Sequence, residues 1–368
     1  MWYASRPDRA TRPVPPAGPD RDAVLDVAKG IAIVAVVFVH VWRGVDAAGL
    51  LADPALFRLV DTTVCLWVLT VFAFVAGLFI ERGMKRDGAG RYVGRRVLDF
   101  AWLYVVWSIL NNLANLVGSQ LANTPITLEQ TMRLWEPRAQ MWYLGWIALM
   151  VVIAAVSRPW ESRTRLVVTL ATVGAASAAT WGLNGSVVGT LGLGISLAFF
   201  AGVAVRADRA VALLAAGPAW VHAFLASAAM CATVALVAMG LAGPPTHDGE
   251  HRTATTVVIG MAASSLATIA VLQVSRLLSA TSLRRPLTAL GQASMVIFLA
   301  HLLFTPTTRI ALSGVGVADP TAQVVVGVAL GVAGPLALRA VATRSGAPWL
   351  FSAPRVGTGF RSWAGRRP

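Results

Sequence analysis

Lys29 and His40 stand eleven positions apart in an otherwise apolar run, and they are the first residues of the chain that could do chemistry. Eleven steps of about 100° make three turns plus about 20°, so on a helix both side chains face the same side, separated by about 16 Å along the axis. A histidine has an unperturbed pKa of about 6.5 and suits the removal of a proton from a hydroxyl. An ammonium that far away cannot act on the same atom. Lys29 suits an anionic group near one end of the span, or it anchors the helix by reaching to the interface. Ionisable groups inside spans are costly and mark functional positions, and Asp26 is a third one in this run. Ser294 and His301 are seven apart, two turns less about 20°, and also share a helix face. They line one cavity or bond to a neighbouring helix. Asn111, Asn112 and Asn115 suggest a polar cavity wall.

These residues need a scaffold, and composition names its class. Hydrophobic residues make up 56% of the 368 residues and charged ones 13%, too little polar surface for a soluble core of this size. The apolar residues form ten runs: 24–45, 60–80, 97–117, 141–156, 166–183, 187–205, 219–241, 253–278, 287–303 and 321–342. Most are near the ~20 residues that cross a bilayer. The expected fold is an all-α polytopic membrane bundle of about ten transmembrane helices. Residues 23–342 form the membrane domain between a disordered basic tail, 1–22, and a second basic tail, 343–368. Residues 1–22 lead into the first run without a small-residue cleavage site, so that run is expected to remain as a span. Asn184, Gly185 and Ser186 are expected to turn between the fifth and sixth runs.

The net charge of +14 does not imply nucleic acid, because the basic residues sit at the ends of apolar runs. With both termini inside, only Arg43, Arg58, Arg133, Arg138, Arg252 and Arg309 fall in outer segments, and the other 25 of the 31 Lys and Arg residues fall inside. That asymmetry follows the positive-inside rule. Losing a single span would destroy the alternation, so an even number with both ends in the cytoplasm is expected, in the plasma or inner membrane. Cys65 and Cys231 lie in apolar runs and suggest neither a disulfide framework nor a metal motif. His247, Asp248, Glu250 and His251 match no metal-ligand spacing, and no metal is expected. Glu129, Glu136 and Arg138 in an outer loop are read as solvated surface or acceptor contacts.

The stretch from Leu25 to Ile33, closed by His40, resembles the first helix of the acyltransferase-3 family, multi-span O-acyltransferases whose motif is Arg or Lys, ten residues, then His. Phe74-Val75-Ala76-Gly77 resembles a Phe-Ser-Gly motif, with Ala76 in place of serine. Arg95-Arg96 opens the third run as family arginines do, and Tyr104 to Ser108 follows as a similar aromatic stretch. Met141-Trp142-Tyr143-Leu144, Phe199-Phe200-Ala201-Gly202, and Gly291 to His301 with Phe298 replacing tyrosine also fit in order. The resemblance implies that His40 acts in acyl transfer. It implies acyl-CoA, in most cases acetyl-CoA, as a cytoplasmic co-substrate, with no permanently bound cofactor. Lys29, Arg95 and Arg96 would then serve the donor, and Asn111, Trp142, Ser294 and His301 would line the substrate cavity. Asp99, three residues after Arg96, is expected to compete for those arginines.

The function expected is transfer of an acyl group to a hydroxyl of a glycan, glycolipid or related acceptor, as in polysaccharide O-acetylation. A transporter of a lipid-linked or small polar substrate is the alternative, since a bundle with an internal His and Lys suits it too. No broken-helix pair in matching halves supports it.

Overall fold

The computed structural model describes residues 23–117, 127, 129, 132–183, 189–246 and 251–354. Of the described residues 81% are helical, and none lies in a strand. The helices are α1 (Ala23–Ala47), α2 (Pro54–Leu78), α3 (Ile80–Asp87), α4 (Ala89–Val117), α5 (Trp142–Ser157), α6 (Arg163–Thr180), α7 (Ser196–Val205), α8 (Ala207–Ala215), α9 (Ala219–Ala238), α10 (Ala254–Leu278), α11 (Arg284–Gln292), α12 (Ser294–Gly314) and α13 (Pro320–Arg344).

Local chemistry explains where these helices begin. Asp53 accepts from the backbone N–H groups of Ala55 and Leu56 at 2.8 and 3.2 Å, and Pro54 follows it in the first helical position of α2. Asp319 and Pro320 repeat the arrangement at α13, with Ala322 N–H at 2.7 Å. Thr253 and Thr256 form a reciprocal capping box at α10. At the far end of α6, Arg252 donates to the carbonyl oxygens of Ala178, Ala179 and Trp181, so a cation satisfies the last turn.

Among the described residues, eight helices are long and apolar enough to cross a membrane: Ala23–Ala47, Pro54–Asp87, Ala89–Leu116, Ala139–Ser157, Ala219–Ala238, Ala254–Leu278, Ser294–Gly314 and Pro320–Arg344. The other two of the ten apolar runs behave differently. The fifth is α6, which opens on Arg163 and Arg165 and so is less apolar. The sixth is the shorter apolar segment Leu193–Val205. Both belong to one consecutive pair, so the parity of the crossings is the same with or without them. The ninth span is displaced: residues 287–292 belong to the separate helix α11, and the crossing is Ser294–Gly314. Arg43, Arg58 and Arg309, counted with the outer segments, lie on the helices α1, α2 and α12.

Large apolar side chains point outward across the bundle, Leu98, Val156, Val168, Trp220 and Phe224 among them, as a lipid-facing surface requires. The chain is a multi-pass membrane protein. At its centre stands α1, which packs against α2, α10, α11, α12 and α13. Its ionisable residues are therefore only partly exposed. The motif segments at 74–77 and 199–202 meet each other where α2 crosses α7. A Cβ at Gly77 would strike the Phe199 carbonyl, and one at Gly202 would strike the Phe74 carbonyl, so glycine on both sides sets the backbone separation. After α13 the chain returns to α4. The indole N–H groups of Trp102 and Trp107 donate to the carbonyl oxygens of Trp349 and Leu350 at 2.8 and 2.6 Å. The segments 1–22 and 355–368, the turn at 184–186 and His247, Asp248 and Glu250 lie outside the described residues.

Candidate active site

His40 on α1 faces His301 on α12, with ring centroids 5.0 Å apart and the planes inclined by 50°. His301 is fully buried. Its Nδ1 lies 3.0 and 2.9 Å from the carbonyl oxygens of Ile297 and Phe298. A carbonyl only accepts, so Nδ1 carries the proton, and in a neutral ring Nε2 is then the proton acceptor. Nε2 has no hydrogen-bond partner. The carbonyls belong to the turn just before His301, so the helix itself sets the ring's tautomer and direction.

His40 lies between two cavities and is the one residue that lines both. The first, of about 130 Å³, is walled by the valines at 36, 39 and 68 together with Trp142 and Phe298. Besides His40, its polar lining is Arg43, Cys65, Gln140 and Thr246. Arg43 is one turn beyond His40, and Asp61 on α2 holds its guanidinium through two bonds of 2.6 and 2.8 Å. The same guanidinium lies 3.1 Å from the Cys65 sulfur. Gln140 is buried, and its Nε2 donates to the carbonyl oxygens of Phe298 and Leu299 at 3.3 and 3.4 Å. Its Oε1 has no partner. The Phe298 carbonyl thus accepts from both Gln140 and His301, which ties the two sides of the site together.

The second cavity, of about 230 Å³, lies between α1, α4, α12 and α13 and is lined by Asn115, Thr305, Arg309 and Gln323 besides His40. A third adjoins it through Asn115, Leu302 and Pro306, and holds Ser108, Asn111, Asn112 and Arg138. Both polar atoms of the Asn111 amide are buried without a partner there. Asn111, Asn112 and Asn115 of α4 all line this third cavity. Sequence reasoning missed Arg43, Asp61 and Gln140 as site residues. The available signal for Arg43 was its position one turn after His40.

A family model described as an acyltransferase domain matches residues 22–340, nearly the whole chain. The chain belongs to the acyltransferase-3 family. Comparison with curated proteins and with solved structures found no match.

Membership of the acyltransferase-3 family makes acyl transfer the chemistry to be placed, and does not favour the transporter reading. Of the residues expected to take part, His40, Trp142 and His301 meet at the first cavity or its edge, and Asn111 lies in the third. Lys29 remains at the other end of α1. Its ammonium pairs with Asp26 at 2.6 Å, and Asp26 also accepts from Gln292 of α11 at 3.1 Å. Ser294 lines none of the three cavities, because it opens α12 two turns before His301. Arg95 pairs with Asp87 at 3.3 Å, and the Arg96 guanidinium sits 5.6 Å from the centre of the Tyr92 ring. The expected competitor Asp99 is thus replaced by Asp87, brought close by the turn between α3 and α4. His222, another histidine in an apolar run, is buried against Gln273 of α10 and lines none of these cavities. Its contact joins α9 to α10, the ordinary use of a polar side chain between membrane helices.

Proposed function

We propose that this acyltransferase-3 protein moves a short acyl group, acetyl in the first instance, from a cytoplasmic acyl-CoA to a hydroxyl of a glycan, glycolipid or related acceptor. The observation that carries the reading is His40, set between two cavities and backed by a histidine whose free ring nitrogen is oriented by its own helix. A ring nitrogen of His40 takes the acceptor's hydroxyl proton as the oxygen attacks the thioester carbonyl. The tetrahedral intermediate expels the thiolate, the carbon–sulfur bond breaks, and the proton passes from His40 to the leaving sulfur. The products are an ester and free CoA. General-base catalysis of this kind contributes about 10²- to 10⁴-fold.

The size and lining of the first cavity support a short acyl group. Its 130 Å³ is close to the ~150 Å³ of an apolar cavity that holds benzene. Arg43, fixed by Asp61, supplies positive charge along that cavity, where a developing oxyanion is stabilised. Lys29, Arg95 and Arg96 are assigned to the phosphates of the donor. The roughly 16 Å from Lys29 to His40 is spanned by the donor's long pantetheine arm.

Purified protein in detergent, given radiolabelled acetyl-CoA and membrane glycan extracts, should release free thiol and transfer label to an ester. Absence of thiol release above that of the His40→Ala protein would overturn the reading. Exchange of a labelled substrate across vesicles without thioester cleavage would point to transport instead.

A further inference from the structure

The cavity between α1, α12 and α13 contains polar groups that the fold leaves unpaired. Gln323 is 1% exposed, and its Nε2 donates to the Val317 carbonyl at 2.7 Å and to the Ser313 hydroxyl at 3.3 Å. Those bonds fix the amide, and Oε1 is left without a partner. Thr305 is 4% exposed, and its hydroxyl also has no partner. Thr63 and Thr288 share this state, whereas Thr70, Thr268 and Thr307 each bond back to the carbonyl four residues earlier. Pro306, inside α12, has no N–H and so withholds the helical donor from the Leu302 carbonyl, and Leu302 lines the same cavity. Gly331 of α13 makes the arrangement possible. A Cβ there would strike Val37 of α1 and Thr305 of α12, so only glycine brings the three helices together at this level.

Buried polar groups in native proteins are almost always paired, and a cluster of unpaired ones beside a reactive side chain calls for a ligand. The unpaired acceptors here are Gln323 Oε1 and the Thr305 oxygen, beside a Leu302 carbonyl that Pro306 cannot serve, so a ligand with several O–H donors fits. The cavity is also larger than the valine-walled one across His40, at about 230 against about 130 Å³. We propose that this cavity is the acceptor subsite, and that it selects a polyhydroxylated acceptor, a sugar or polyol, over a simple alcohol. One hydroxyl meets His40, while neighbouring hydroxyls donate to Gln323 Oε1 and engage Thr305. The assignment rests on the reading of His40 as the acyl-transfer base.

Thr305→Val tests it with little risk to folding, because the hydroxyl removed bonds to nothing in the protein. Binding is read without any acyl donor, as the thermal stabilisation of the full chain in detergent by methyl glucoside and by cyclohexanol. Methyl glucoside should stabilise the native protein, and cyclohexanol should not. Thr305→Val should require roughly 3- to 10-fold more methyl glucoside for the same stabilisation, the loss of about one hydrogen bond, and Thr305→Ser should restore the native response. With acetyl-CoA present, the KM for an accepted polyol should rise by the same factor in Thr305→Val, with kcat changed less. No stabilisation by methyl glucoside, equal stabilisation by cyclohexanol, or an unchanged response in Thr305→Val would overturn the proposal. Each of those results is compatible with normal thiol release from acetyl-CoA, so failure of the subsite is distinct from failure of the acyltransferase reading.

Discussion

His40 and His301 come from opposite ends of the chain and place their rings 5.0 Å apart, one between two cavities and the other sealed in the protein. The sealed ring lines neither cavity, and its Nε2 has no hydrogen-bond partner. This division of roles leads to different expectations for the two residues.

His40→Ala should lower acyl transfer by about 10²- to 10⁴-fold, the usual contribution of a general base, with the protein still in the membrane at native levels. His40→Gln retains hydrogen bonding and cannot take the proton, so it should be nearly as inactive. The measurement is ester formed per mole of membrane-inserted protein. Near-native turnover in His40→Gln would reduce His40 to a structural hydrogen-bonding residue.

His301→Asn keeps a side chain that can donate to the carbonyls of Ile297 and Phe298, so folding should survive. If His301 positions His40, turnover should fall roughly 10-fold while the KM for acetyl-CoA is maintained. His301→Phe, which loses that donor as well, should fall further. Equal kinetics in native and His301→Asn proteins would show that the ring contact is packing only.

Gln140→Glu replaces the donating Nε2 by a second acceptor, which would face the carbonyls of Phe298 and Leu299. Acceptor against acceptor is repulsive, and a buried carboxylate is costly. The variant should lose most of its activity and unfold at a lower temperature in detergent. Retention of both activity and melting temperature would mean that the side chain has another orientation.

Arg43 and Asp61 should behave as one unit. Arg43→Ala and Asp61→Ala should each reduce turnover, and the double variant should be little worse than either single one, as for two residues in a shared interaction. Arg43→Lys should not restore activity, because one ammonium does not reproduce two parallel bonds to a carboxylate. Additive losses in the double variant would separate the two roles.

Lys29→Ala should raise the KM for acetyl-CoA roughly 10-fold, the equivalent of one charge-assisted hydrogen bond, with less effect on the acceptor. Lys29→Arg should retain much of the activity. A reporter active only outside the cytoplasm should be silent when fused after Asp87 or Arg163 and active after Thr246. Inversion at two of these sites would overturn the assigned orientation. Native donor kinetics in Lys29→Ala would leave Lys29 as an anchor paired with Asp26.

What could be read in the sequence was local or one-dimensional. Ten apolar runs could be read, and eight of the described helices have the length and apolarity to cross a bilayer, which demands continuous apolar length with every backbone group bonded inside the segment. The eleven-residue interval from Lys29 to His40 sets both their shared face and their separation, since a helix has one rise and one turn per residue. The ordered motifs along residues 22–340 pointed to the family that the comparison identified. The tertiary structure decided which residues meet. It placed His301 against His40, Asp61 on Arg43, Asp87 rather than Asp99 on Arg95, and left Ser294 out of the cavities. It also cut the ninth run into α11 and α12. Those outcomes depend on where one helix crosses another and how closely glycines let the backbones approach, as at Gly77 and Gly202. A periodicity records the face a residue occupies on its own helix, whereas the partner of that face is set only when the helices pack.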